Sequence, residues 1–324
     1  MRKISIRLIT LILLITILTG CGKSAKSQEP ITYNVVVPDG IPALTMAKII
    51  KEDSIDFDNI DLEYSIEKAT DALAAKVLSE EADIAIVPSN LAAQTYNKGL
   101  DYRIVATGSW GSFYLISEDN IEDLSALEGE SITTIGKNLT PDIMLRHIFE
   151  LKGLKADQDV SIEYLNGATE LAPNYISGQA KIVSVPEPML TTIMGKKVDT
   201  NIILDLNEEW KIAHSSDHGY PQSSLIIKED IIRDNEDFIK ALLGEYEKSI
   251  KWANENPDKL GEYAQALDLA LNPEVLAKAL DRANIKYVPI NDSIEDYNKF
   301  FEVLFNMEAK VIGGEIPDEG LYFK

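Results

Sequence analysis

The sequence predicts an α/β protein built as two lobes. Two observations carry that reading. Short β-rich runs alternate with helical stretches along most of the chain, the pattern of α/β lobes with largely parallel sheets. About 290 residues follow an apolar leader, more than one ordinary core accommodates and enough for two.

The runs that read as strands are 33–37, 83–87, 103–107, 112–117, 131–135, 161–165, 181–185, 201–205 and 224–228, each followed by a turn or a helix start. A helix opens at Gly40-Ile41-Pro42, because proline is tolerated in a first helical turn; Leu44, Ala47 and Ile50 then recur at helical spacing and face the sheet. Thr140-Pro141-Asp142 reads as a cap, a proline and a first-turn acid, and Gly153 stops the helix that follows. The last third turns mainly helical: 236–254 carries Ile239, Leu242, Leu243, Tyr246 and Ile250 on one face, Asn272-Pro273 caps another helix, and Ser293 precedes a third.

The leader has Arg2, Lys3 and Arg7 ahead of an uncharged run at 8–18, which is the build of an export signal. That run is shorter than the roughly 20 residues a spanning helix needs. It ends in Leu18-Thr19-Gly20-Cys21, which resembles the lipobox of bacterial lipoproteins, with Cys21 as the lipid-modified first residue of the mature chain. Cys21 is the single cysteine, so no internal disulfide forms. An uncleaved anchor helix is the alternative and leaves the location outside the membrane unchanged. The small, polar stretch 22–30 reads as a flexible tether.

Acidic residues outnumber basic ones 53 to 31, a net charge of −22. Such a field repels nucleic acid and anionic membrane. The nucleophile elbow, the phosphate-binding P-loop, the dinucleotide fingerprint and the zinc-protease helix pattern are absent, so no cofactor and no catalytic residue is expected. His214 and His218 flank 215–217 in what reads as a loop, with no third metal ligand spaced nearby.

In open α/β sheets, ligands sit beyond the carboxyl ends of strands, where loops and helix N-termini converge. That rule selects the loops 38–43, 88–91, 136–142 and 186–189. They contain Asp39, Gly40, Ile41 and Pro42; Ser89 and Asn90; Gly136 and Thr140; and Glu187. Ser89 either orients a polar ligand or caps its helix. Thr140 caps its helix or turns its hydroxyl into the cleft. Glu187 and Asp39 meet a ligand amine or a helix dipole. Trp110, between Ser109 and Gly111, either stacks on a flat ligand or packs in a hinge.

The segments VVVPDGIPALTMAKII, ADIAIVPSNLAAQTYNKGL, YRIVATGSWGSFYLIS and IEDLSALEGESITTIGKNLTPDIMLRHIFELKGL resemble the ABC-importer binding proteins that handle sulfonates, nitrate and thiamine-pyrimidine precursors. The resemblance runs from about residue 31 to beyond 227 and includes Pro186-Glu187-Pro188. It implies the type II periplasmic-binding-protein fold, two α/β lobes joined by two crossing strands, here 112–117 outward and 224–228 on the return. The first lobe then combines 31–111 with 223–324, and the second is 112–222, after a signal peptide at 1–20 and a tether at 21–30. It also brings Gln222, in the loop before the return strand, near the cleft.

The function so implied is that of an extracytoplasmic solute-binding lipoprotein, not an enzyme. It would capture a small molecule by closing its cleft and pass it to ABC permease and ATPase subunits, held to the membrane by lipid on Cys21. Two alternatives share the fold: a cytoplasmic pyrimidine or menaquinone-precursor synthase, against which the leader and Cys21 argue, and a sensor subunit that presents bound ligand to a receptor. Arginine is absent from the four loops and Lys137 is their only lysine, while Asp39, Glu187, Asn90 and Trp110 suit a flat, amine-bearing heterocycle. Backbone N–H groups alone also hold an oxyanion, so a sulfonate or nitrate stays open.

Overall fold

The computed structural model describes residues 30–324; the expectations for the signal segment, for Cys21 and for nearly all of the tether lie outside the described residues. The chain builds β1 (Ile31–Pro38), α1 (Ile41–Glu52), β2 (Ile60–Glu67), α2 (Thr70–Leu78), β3 (Ile84–Pro88), α3 (Ser89–Asn97) and β4 (Tyr102–Trp110). It then continues through β5 (Phe113–Ser117), β6 (Ser131–Ile135), α4 (Thr140–Leu151), β7 (Ser161–Leu165), α5 (Ala168–Ile176), β8 (Ile182–Pro186), α6 (Met189–Lys196), β9 (Asn201–Asp205) and α7 (Leu206–His214). The last part is β10 (Pro221–Lys228), α8 (Glu229–Asp234), α9 (Glu236–Glu255), α10 (Pro257–Ala266), α11 (Pro273–Ala279), β11 (Ile285–Pro289) and α12 (Ile294–Glu308).

Two sheets result. One has six strands in the order β11-β4-β10-β3-β1-β2, the other five in the order β7-β6-β8-β5-β9. All nine runs read as strands are strands. The expectation of largely parallel sheets is corrected to mixed ones. β1 pairs β2 and β3 in parallel, and β6 pairs β7 and β8 in parallel. The segments that leave and re-enter each lobe run against them: β10 is antiparallel to β3 and β4, and β5 to β8 and β9.

Two strands escape the sequence reading. β2 alternates apolar and polar residues, as an edge strand with one wet face does, and its acidic residues hide it. β11 is five residues long inside a helical region and closes the far edge against β4.

The core is apolar on both sides of the first sheet. Val35, Val37, Leu44, Ala47 and Ile49 are solvent-free, and Ile50 packs against their cluster. A second cluster runs continuously from the first sheet into the second lobe through Leu115, Phe149, Trp210, Tyr220 and Phe300. The lobes therefore share apolar contact, and their helices meet where α12 packs on α4 and where α11 packs on α6.

The crossings themselves are shorter than the strands expected to make them. β5 lies wholly in the second sheet and β10 wholly in the first, so the chain passes between lobes at Gly111-Ser112 and Gly219-Tyr220. These segments lie side by side, with Gly111 N donating to Tyr220 O at 3.0 Å. Asn207 binds the return segment, donating to His218 O at 3.3 Å and accepting from Tyr220 N at 3.2 Å. Asn284 donates to Gly111 O and accepts from Trp110 N at 3.0 Å.

Glycine is required at both crossings. A Cβ on Gly111 would stand 2.2 Å from the Tyr220 ring, and one on Gly219, at φ +107°, would stand 1.9 Å from Asn207 Oδ1. Gly219→Ala is expected to destabilise the protein by about 2–3 kcal/mol, measured by urea unfolding. An unchanged midpoint would show that the crossing yields freely.

Candidate functional site

The carboxyl ends of the two parallel sets face each other. β1 and β3 end at Pro38 and Pro88, and Ser223 of β10 pairs with Pro88. Across the gap, Phe113 pairs with Pro186 at the end of β8, and α4 begins at Thr140. Between them lies a cavity of about 210 Å³. From the first sheet's side it is lined by Pro38, Pro42, Pro88, Ser89, Asn90, Gln222 and Ser223. Phe113, Thr140, Pro141, Tyr220 and Phe300 complete the wall.

Five residues singled out from the sequence meet here: Pro42, Ser89, Asn90, Thr140 and Gln222. Gly40 and Gly136 shape the loops from positive φ, +103° and +67°, without lining the cavity, and Ile41 is buried at the start of α1. Asp39 turns back on its own lobe, accepting from Gly40 N at 2.7 Å and from Ala270 N at 3.2 Å. Trp110 is packed in the hinge: it is 1% exposed, donates Nε1–H to Lys286 O at 3.1 Å, and lies 5.0 Å from the His218 ring.

Glu187 is buried beside the cleft and already neutralised. Arg282 Nε donates to its Oε1 at 2.6 Å, Thr191 Oγ1 donates to the same oxygen at 2.9 Å, and Thr191 N donates to Oε2 at 3.1 Å. Arg282 also donates to Thr191 Oγ1 at 2.6 Å. Glu187→Gln leaves the guanidinium without its counter-charge, and a loss of about 3 kcal/mol in urea unfolding is expected.

The expected Thr140 cap is corrected. Leu139 occupies the cap position, with no side-chain hydrogen bond to the helix end. Asp142 holds the loop instead: its side chain is solvent-free and accepts from Asn138 N at 2.8 Å, Arg146 Nε at 2.7 Å and Tyr164 Oη at 2.8 Å. The Thr140 hydroxyl is thereby left to the cavity.

The remaining polar groups have legible polarity. Gln222 Oε1 accepts from Ser112 N at 3.1 Å, so its amide N–H₂ is the free end. Asn90 Nδ2 donates to Val311 O at 3.2 Å, which leaves Oδ1 as an acceptor. The helices α1, α3 and α4 all start at the cavity without a side-chain cap, but Pro42 and Pro141 carry no N–H, so Ser89, Asn90 and Thr140 are the lining residues at these helix starts that have one. Among the described residues, no acidic or basic side chain lines the cavity.

Tyr220 and Phe300 escaped the sequence reading, although Tyr220 adjoins the 221–223 loop. Phe300 is one of several apolar residues on α12, and nothing in the helical pattern separates it from core. Their rings stack at 6.1 Å with 13° between planes, and Trp210 meets Tyr220 edge-on at 5.8 Å.

Behind Trp210, His147 and His214 join through their Nε2 atoms at 2.9 Å. His214 is the last residue of α7 rather than part of a loop. Among the described residues, no group of three or more His, Cys, Asp and Glu is arranged to hold a metal. Burial, with His214 alongside, lowers His147 from the ordinary 6.5 to about 4. Burial also lowers His214, with Lys299 adding to the shift and Glu302 opposing it.

A depressed histidine pKa means that the unfolded chain takes up the proton first. The stability it contributes is present above about pH 6.5 and is lost as pH falls towards about 4. Thermal melts across that window should fall more steeply for the wild type than for His147→Gln; parallel curves would contradict the assignment.

A family model described as NMT1/THI5 like matches residues 57–260. No curated protein matches the sequence. Among solved structures, an ABC transporter protein from Parabacteroides distasonis is 22% identical, with TM-score 0.75, covering 90% of this chain and 99% of that one. The periplasmic aliphatic sulphonate binding protein SsuA from Escherichia coli is 12% identical, also with TM-score 0.75, covering 91% and 92%. The periplasmic nitrate-binding protein NrtA from Synechocystis PCC 6803 is 14% identical, with TM-score 0.61, covering 88% and 84%. These likenesses share one fold, two α/β lobes around a cleft.

Proposed function

The chain belongs to the NMT1/THI5-like family, and from that premise we propose that it is the solute-binding component of an ABC importer. The observation that carries this is the cavity of about 210 Å³ walled by both lobes at the carboxyl ends of their strands. A solute there touches α1, α3 and β10 on one side and α4 and β5 on the other, so it binds the closed form and shifts the population towards it. Among the described residues, no carboxylate, histidine, lysine or cysteine lines the cavity to act as a base beside its hydroxyls, which supports capture rather than turnover. The lobes of this reading are 31–111 with 223–324, and 112–222.

The solute is compact. The cavity is smaller than the roughly 300–1,000 Å³ of drug-sized ligand sites. Its walls of four prolines and three aromatic rings suit a flat ring, and its few polar groups suit a heterocycle of the thiamine-pyrimidine kind. Asp39, Glu187 and Trp110 no longer contribute to that preference; the wall composition does. A second reading, a sulfonate or nitrate, is favoured by the uncapped start of α3, where Ser89 and Asn90 line the cavity.

A thermal-shift series against aminopyrimidines, sulfonates and nitrate decides between them. A solute at about 100 times its dissociation constant should add about 2.7 kcal/mol, seen as a raised melting temperature. Conversion of an aminopyrimidine to product without such a shift would favour an enzyme of the same fold.

The apolar leader and Cys21 support secretion and a lipid anchor on the extracytoplasmic face, where the permease and ATPase partners receive the solute. Among the described residues, no helix is long and apolar enough to cross a membrane. Cys21→Ser should move the protein from the membrane fraction to the soluble fraction; retention in the membrane would argue for an uncleaved anchor.

A further inference from the structure

Behind the cavity, four hydroxyls form a buried chain whose hydrogens can be counted. Ser224 Oγ donates to Ser89 Oγ at 2.9 Å, which uses its single hydrogen. Tyr297 Oη stands 2.6 Å from Ser224 Oγ and must therefore be the donor in that pair. Thr107 Oγ1, 2.9 Å from Tyr297 Oη, must in turn donate to Tyr297. The chain runs in one direction, from Thr107 through Tyr297 and Ser224 to Ser89. All four residues are at most 1% exposed.

One hydrogen is left over. Ser89 Oγ is occupied as an acceptor, and among the described residues it makes no hydrogen bond of good geometry as a donor; the one hydroxyl near enough to compete, Tyr297 Oη, is already engaged by Thr107 and Ser224. Ser89 lines the cavity. Each hydrogen bond in such a chain polarises the next, so the terminal hydroxyl is a stronger donor than an isolated serine. Gln222, whose Oε1 is tied to Ser112, adds a second donor from the same sheet.

We propose that Ser89 Oγ–H and the Gln222 amide N–H₂ are obligate donors to the solute, so that the site selects a molecule presenting two acceptor atoms to the first sheet. The inference rests on the solute-binding reading of this cavity and deepens it. Ring nitrogens of a heterocycle and oxygens of a sulfonate or nitrate both satisfy it; a solute that offers only donors on that side leaves both donor groups, the buried Ser89 hydroxyl and the partly buried Gln222 amide, unpaired and is rejected. Ser224 and Tyr297 are positioning residues that act through Ser89.

The test titrates the full chain by calorimetry with three probes: a hydroxymethyl aminopyrimidine, methanesulfonate and nitrate. For whichever probe binds the wild type, Ser89→Ala and Gln222→Glu should each weaken binding by about tenfold or more. Gln222→Glu keeps an oxygen for Ser112 and removes the donors but adds a negative charge, so the uncharged Gln222→Met is titrated beside it; a loss of binding in both tracks the donors and decides the matter even if Ser89→Ala folds poorly. Ser224→Ala should weaken binding by about threefold to tenfold and Ser224→Thr should restore it, a rescue that mere packing would not produce. Binding by Ser89→Ala and Gln222→Glu within about twofold of the wild type would overturn the inference while leaving the solute-binding reading intact. If none of the three probes binds the wild type, that reading of the solute class fails and takes the inference with it.

Discussion

The Gly111 N–H donates to the Tyr220 carbonyl where the two inter-lobe segments lie side by side, and the geometry of the cleft depends on that contact. Neither crossing has room for a Cβ, because the Tyr220 ring and the Asn207 amide occupy the space. Asn207 comes from the second lobe's α7 and Asn284 from the stretch that leads into β11 of the first sheet. Each is fastened to a crossing by hydrogen bonds to backbone. Any change in the angle between lobes must therefore be absorbed within a few residues. The rings of Tyr220 and Phe113, which flank the crossings, line the cavity and move with it.

Charge is handled by exclusion. The protein carries a net charge of −22, yet among the described residues no acidic or basic side chain lines the cavity. The carboxylates nearest to it are satisfied from within: Asp39 by backbone N–H groups, Asp142 by Arg146 and Tyr164, and Glu187 by Arg282 and Thr191. A carboxylate so paired adds little field of its own, so the solute meets aligned N–H groups, hydroxyls and rings rather than a counter-ion. Specificity then comes from the direction of hydrogen bonds and from shape, in a space where an unpaired donor is costly.

The architecture was legible because strand and helix periodicities are local. The βα loops were legible because ligand placement at strand ends follows from topology. What was not legible lies in distant partners. Arg282 is 95 residues from Glu187, Lys286 is 176 from Trp110, and Ala270 is 231 from Asp39. No local pattern announces such pairings, so three polar or aromatic residues in well-chosen loops turned out to be claimed by the fold. Thr140 shows the reverse. Its sequence context is that of a cap, but the buried Asp142 holds the loop and releases the hydroxyl.

The C-terminal helix α12 ties these features together. Tyr297 and Phe300 are three residues apart and so share a face. The first orients the hydroxyl chain behind Ser89, and the second forms part of the cavity wall. Lys299, between them in sequence, donates to the carbonyl of His214 in the second lobe at 2.7 Å. One helix thus touches the hydroxyl chain that ends at the proposed donor Ser89, the wall that shapes the space and the opposite lobe. Lys299 is one of several ties between the lobes, beside the Arg282–Glu187 pair and the Tyr114 bond to Arg282 O. An inter-lobe contact, the hydroxyl chain behind Ser89 and part of the cavity wall thus sit on a single helix.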